Sequence, residues 1–325
     1  MKNIAVFAFF VSVLIVPAAV FSVPSFLAGY TASLEFNTGF LYGHAEESVY
    51  FPNGGGKQSR LDWDMKPLFY SGAVLDFSRI DPLERAGFFV SLFLKFGIPA
   101  VTGVMEDRDW NEAGLFTDFS RHDNRTEGAC LLDGLIGFSV PFRSRMVFSI
   151  YGAVSWIRFR WAGQDGYGQY LRDVGYDPSV PIHSLPKKPY TGTIITYSQD
   201  WLLFYPGAAV LLPLSSFFSL KLSFQGSPFV YCAARDNHIT TGTEYRDRIL
   251  WGLYLEPGTE LNFTFYRRCA LSLSVSYRMM EGDRGTTWMR STGYGQNSFF
   301  TELATQSGAA VHVLNAGLSF KIRLQ

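Results

Sequence analysis

A strict two-residue alternation of apolar and polar side chains constrains this chain more than any other feature. Between residues 219 and 225, Leu220, Leu222 and Phe224 share one parity, and Ser219, Lys221, Ser223 and Gln225 share the other. Residues 270–277 repeat the pattern, with Leu271, Leu273, Val275 and Tyr277 opposite Ser272, Ser274 and Ser276. Residues 253–265 do so again, setting Leu253, Leu255, Leu261, Phe263 and Phe265 against Glu256, Glu260 and Asn262. The final segment sets Leu314, Ala316, Leu318, Phe320, Ile322 and Leu324 against Asn315, Ser319, Lys321 and Arg323. Successive side chains leave a pleated strand on opposite sides, so each segment predicts a strand with one apolar and one polar face. Turned inward, the apolar faces would build a soluble sandwich. Turned outward, they would build a membrane barrel with a polar lumen. The alternation alone is compatible with both.

Three further features favour the membrane. Lys2, an apolar stretch at 4–16 and small residues at 17–22 have the layout of a secretory signal, expected to end at Ser22. That leaves residues 23–325 as a single domain. Aromatic residues make up 17% of the chain, which suits membrane-facing strands. The alternating segments are also long enough, since ~9–11 tilted residues cross a bilayer. Ten strands are expected, at about 31–42, 61–77, 87–98, 129–140, 146–161, 197–212, 217–231, 249–265, 270–280 and 311–324. Connections near 81–82, 142–144, 214–215 and 267–268 are short. Those covering 43–60, 99–128, 162–196, 232–248 and 281–310 are long. The expected fold is therefore all-β: a ten-stranded antiparallel transmembrane β-barrel with long extracellular loops and short periplasmic turns.

Charge and cysteine usage exclude several functions. Lys plus Arg and Asp plus Glu both number 28, so no basic surface suggests nucleic-acid binding. Cys130, Cys232 and Cys269 form no C-x-x-C or Cys/His cluster, which argues against zinc, and an odd number cannot pair fully within one chain. They read as small apolar fillers of strands. Glu281-Gly282-Asp283 lacks the spacing of a calcium loop. No metal and no cofactor are expected.

Chemistry concentrates in two places. The stretch 105–122, M-E-D-R-D-W-N-E-A-G-L-F-T-D-F-S-R-H, carries Asp107 and Asp109 two residues apart. Asp236 and His238 are likewise two apart. In extended chain each pair points to one side. Both lie in long connections, so both are expected at the same end of the barrel. A neutral imidazole, with an ordinary pKa near ~6.5, can take a proton from water, and a neighbouring carboxylate can stabilise the imidazolium. Two carboxylates held together tend to share a proton. Either pair alone is the kind of polar pair that exposed loops commonly carry; their joint placement suggests a site. One detail conflicts with a regular strand. Asp236 and His238 share the even parity of the lipid-facing Leu220, Leu222 and Phe224. A bulge near Gly226-Ser227-Pro228 would reset that parity; alternatively the strand has ended and the pair stands on a loop above the membrane.

The run from Glu106 to His122, with Ser59-Arg60-Leu61-Asp62-Trp63 and Asp236-x-His238, resembles the signature of the omptins, a family of outer-membrane aspartyl-type proteases. The resemblance covers the whole chain after the signal. It implies peptide-bond cleavage by a water nucleophile. Asp236 and His238 match the family's Asp-His dyad, and Asp107 and Asp109 match its Asp pair. Glu47 matches one carboxylate of a pocket for basic side chains, and Met105 and Ile195 match apolar pocket positions. Asp118 and His122 match the signature in a supporting or substrate-contacting role. Two departures stand out. Ala234 occupies the position of the pocket's second acid, and Trp156 and Asp200 occupy two positions where omptins use Arg to hold lipopolysaccharide. The implied partners are polypeptide substrates and outer-membrane lipid, without a case for lipopolysaccharide dependence, and the protein is expected to be a monomer with its site facing the cell exterior. A non-proteolytic adhesin or structural barrel is the rival function.

Overall fold

The computed structural model describes residues 29–79, 83, 85–142, 146–266, 268–293 and 298–324. Residues 31–325 form one compact unit. The expected signal segment lies outside the described residues, as do Asp81-Pro82, Arg143-Ser144 and Arg267 of the short turns. The strands are β1 (Tyr30–Tyr50), β2 (Lys57–Arg79), β3 (Gly87–Gly97), β4 (Ala100–Trp110), β5 (Phe116–Phe142), β6 (Met146–Tyr170), β7 (Lys188–Pro189), β8 (Thr193–Pro213), β9 (Phe218–Ser227), β10 (Val230–His238), β11 (Thr243–Ile249), β12 (Gly252–Tyr266), β13 (Cys269–Ser291) and β14 (Thr301–Arg323).

The pairings are antiparallel, and β1 pairs with β14 from Ser33↔Arg323 to Tyr50↔Gln306, closing the ring. Three staves consist of two pieces. β3 and β4 both pair with β2 and β5. β9 and β10 both pair with β8, and β11 and β12 both pair with β13. The ring therefore has the ten staves that alternation predicts, with β7 as a short appendage on β6.

Phe36, Leu92, Ile136, Ile150, Phe204, Phe224, Leu273 and Leu318 all point outward and are exposed. Together they make an apolar belt that water would disfavour and lipid accommodates. The staves extend well beyond it. β2 has 23 residues, and at ~3.3 Å per residue and ~40° tilt it rises roughly 55–60 Å, about twice the ~25 Å of a lipid-facing band. Much of what the sequence suggests is loop is therefore strand. Residues 43–50, 100–110, 116–128, 162–170, 232–238 and 281–291 continue the sheet. The alternation fades there because the outer face meets no lipid and turns polar. The expected long loops shrink accordingly, and the longest far-end connection, residues 171–192, carries two 3-10 turns.

Where the staves leave the belt, the lumen-facing parity changes. β9 ends at Ser227 and β10 begins at Val230. Ser227 Oγ accepts a hydrogen bond from the Phe229 amide at 3.0 Å, and Phe229 turns outward while Val230 is buried. The neighbouring stave breaks at Leu250-Trp251, and the two outward rings, Phe229 and Trp251, meet edge to face at 5.1 Å. The break comes at the place the sequence suggests, and it turns Asp236 and His238 into the lumen.

A layer of buried aromatics plugs the barrel. Trp63 stacks on Tyr197 at 5.5 Å and on Trp161 at 6.1 Å, and Trp161 stacks on Phe159 at 5.4 Å. Met65, Met105, Trp201 and Leu203 fill the space around them. On the short-turn side the lumen is polar. There Glu256 accepts hydrogen bonds from Arg278 at 2.7 Å, Tyr254 at 2.8 Å and Ser276 at 2.9 Å. This layering leaves the opposite end of the barrel as a separate compartment above an apolar floor. Cys130, Cys232 and Cys269 are free thiols on strands, with Cys232 buried in the core.

Candidate functional site

Beyond the belt, one groove lies above the aromatic floor. β1, β2 and β4 line one side with Glu47, Ser59, Leu61, Asp107 and Asp109. β10, β11, β13 and β14 line the other with Asp236, His238, Tyr245, Asp247, Thr287, Leu303 and Thr305. Register explains the convergence. Ser59 pairs with Asp109 and Leu61 with Asp107, so the alternating parity of β4 directs both carboxylates inward. Asp236 pairs with Tyr245, and Ala234 pairs with Asp247. The four residues of the two pairs thus share one space, although the pairs are more than a hundred residues apart.

Within it, His238 Nε2 meets Asp236 Oδ2 in a short contact, leaving Nδ1 as the ring's other nitrogen. Ser59 Oγ donates to Asp107 Oδ1 at 3.4 Å, and the Tyr245 ring stands edge-on to His238 at 5.5 Å. The electrostatics follow from burial among like charges. Burial pushes Asp107 well above the usual carboxylate range, and Asp109 adds to it. Burial pushes Asp109 up to about 6, helped by the negative charge of Asp118. Burial also raises Glu47 strongly, with Asp236, Asp247 and Asp107 contributing. His238 loses proton affinity through burial, but Asp236, Asp107 and Asp109 outweigh that and push it up to about 9. No Lys or Arg is among the described residues lining the groove, so His238 is its one cationic group.

The other sequence candidates have different places. Asp118 stands directly across from Asp109 in the β4–β5 ladder. Met105 and Ile195 are buried in the core and do not line the groove; both reach the space in front of Gly163. His122, also buried, contacts the Asp165 carbonyl through Nδ1, and its Nε2 lies 3.0 Å from Ser120 Oγ. Burial lowers its pKa, so the neutral ring, with Nδ1 donating and Nε2 accepting, suits both contacts. His122 therefore ties β5 to the bulge at Asp165-Gly166 in β6. Gln58, Tyr245, Asp247, Thr287 and Thr305 carry no local sequence signal. Only the pairing of β10 with β11 and of β11 with β13 brings Asp247 and Thr287 to the groove.

Comparisons with known proteins agree with this architecture. A model of the Omptin family matches residues 29–322. The outer membrane protease IcsP of Shigella flexneri is 27% identical over 296 residues, covering 86% of this chain and 88% of that protein. The crystal structure of the outer membrane protease OmpT from Escherichia coli superposes with a TM-score of 0.76 at 17% identity, covering 90% of this chain and 97% of that one. That likeness speaks for the fold, whereas the family match extends over nearly the whole described chain. The chain belongs to the omptin family of outer-membrane proteases.

Proposed function

We propose that this barrel is an endopeptidase that hydrolyses peptide bonds with a water held between His238 and the Asp107–Asp109 pair, in a groove open to the cell exterior. The observation that carries this reading is the meeting of the Asp107–Asp109 and Asp236–His238 pairs in one groove above a buried aromatic floor. In the productive protonation state His238 is neutral and Asp107 holds a proton. That state contains as many protons as the one with an imidazolium and an ionised Asp107, and the high proton affinity of Asp107 makes it accessible. His238 Nδ1 takes a proton from the water as its oxygen attacks the carbonyl carbon. Asp236 stabilises the imidazolium through Nε2. Asp107 donates to the developing oxyanion; the imidazolium then gives its proton to the leaving amine as the C–N bond breaks, and the Asp107 carboxylate takes its proton back as the carbonyl re-forms. No Ser or Cys nucleophile, metal or cofactor takes part. Glu47 attracts a basic side chain next to the scissile bond. Ser59 holds the Asp pair, and His122 steadies the strand that carries Asp118.

The test is cleavage of a peptide library by refolded protein in detergent. His238→Ala and Asp236→Ala should each lower kcat/KM by ~10²–10⁴-fold, with the folded barrel intact on gels. Wild type that cuts no peptide, or variants that cut as well as wild type, would favour the adhesin or structural barrel instead.

A further inference from the structure

Ala234 leaves vacant the place where the omptin resemblance expects a second acid for basic side chains. The adjacent strand fills the deficit. Asp247 on β11 is the direct cross-strand partner of Ala234 on β10, and its side chain lines the same groove as Glu47. Both are deeply buried, Glu47 at 3% and Asp247 at 5% exposure.

The hydrogen-bond inventory marks this place independently. Among the described residues, fourteen buried side-chain nitrogen and oxygen atoms lack a partner. Six of them belong to groove residues: Glu47 Oε2, Gln58 Oε1, Asp236 Oδ1, Asp247 Oδ1, Thr287 Oγ1 and Thr305 Oγ1. All six are oxygens able to accept. Buried acceptors without donors are costly and rarely left so. A guest that brings several N–H donors and a positive charge would satisfy them together. A guanidinium brings five donors and an ammonium three. Such a guest would also relieve the mutual repulsion of Glu47, Asp236 and Asp247.

We propose that Asp247 is a specificity-determining residue, and that with Glu47 it forms a two-sided acidic clamp for an Arg or Lys side chain of the polypeptide substrate. The second carboxylate has moved across one rung of the β10–β11 ladder, from position 234 to position 247. The cation is held between β1 and β11 rather than between β1 and β10. Asp236, on β10, remains paired with His238. The clamp rests on the peptidase reading for its place beside the scissile bond, but its affinity for a cationic side chain can be read without cleavage.

The experiment therefore measures binding first. Refolded His238→Ala protein in micelles is titrated with a peptide carrying one Arg, and with the same peptide carrying citrulline, its neutral isostere. The Arg peptide should bind about tenfold tighter or more, in keeping with hydrogen bonds to charged groups. Asp247→Asn, which preserves volume, should remove most of that preference while changing the citrulline peptide less than threefold. Combining Ala234→Asp with Asp247→Asn should restore it, which would exclude a folding defect as the cause. Equal binding of the Arg and citrulline peptides, or an Arg preference that survives Asp247→Asn, overturns the clamp. Cleavage by otherwise wild-type protein, followed in parallel, separates the two claims. Loss of the Arg preference with retained cleavage leaves the peptidase standing, and a clamp that binds without any cleavage refutes the peptidase alone.

Discussion

Replacing Asp236 by Asn tests the electrostatic core of the groove. In the folded protein, burial lowers the proton affinity of His238, and the charge and hydrogen bond of Asp236, with Asp107 and Asp109 behind it, lift it to about 9 from an ordinary 6.5. That difference corresponds to roughly 3 kcal/mol in favour of the imidazolium. Because the folded pKa lies above the unfolded one, the stabilisation is fully present below pH 6.5 and is lost as pH rises through about 9. Asp109 and Asp247, at about 6, release their protons before that window and contribute little inside it. Asp236→Asn keeps the shape and removes the charge. The midpoint of His238, followed by NMR of ring-labelled histidine in micelles, should fall by at least ~1.4 kcal/mol in proton affinity, or tenfold. The loss of thermal stability between pH 6.5 and 9 should shrink with it. The acid limb of the kcat/KM profile should also move to lower pH in whatever activity remains. A His238 midpoint that stays near 9 in Asp236→Asn would show that Asp107 and Asp109 alone hold the proton, and the dyad argument would fail.

Two further outcomes follow from packing. Trp161 is fully buried and stacks on Trp63, Tyr197 and Phe159; Trp161→Ala should cost ~3–5 kcal/mol, read as a lower unfolding temperature in detergent, and a loss below ~1 kcal/mol would mean that the plug is not tightly packed. Gly166 adopts φ +95°, and a Cβ there would lie 2.0 Å from the Arg121 carbonyl oxygen. Gly166→Ala should therefore cost ~1–3 kcal/mol and release His122 from Asp165, whose carbonyl raises the proton affinity of the buried ring, so the His122 pKa should fall further below 6.5 by NMR; an unchanged titration would separate the bulge from the histidine.

The sequence by itself determined the barrel. Leu220, Leu222 and Phe224 against Lys221, Ser223 and Gln225 can bury their apolar side only in lipid once the lumen is polar, and ten such segments close a ring. It also identified the residue types of the site, since Asp107, Asp109, Asp236 and His238 sit at spacings that strands turn to one side. It could not determine how far the strands continue, because alternation reports a contrast between lipid and lumen, and that contrast ends where the belt ends. The tertiary structure decided which way Asp236 and His238 face, through the breaks at Ser227–Phe229 and Leu250-Trp251. It also decided the role of Asp247. An aspartate between two arginines in Arg246-Asp247-Arg248 looks like a solvated surface acid, and only the ladder that sets it across from Ala234 brings it into the groove. Local pattern records which medium each face of a strand meets. Cross-strand register, which depends on every bulge and turn around the ring, records which residues meet each other.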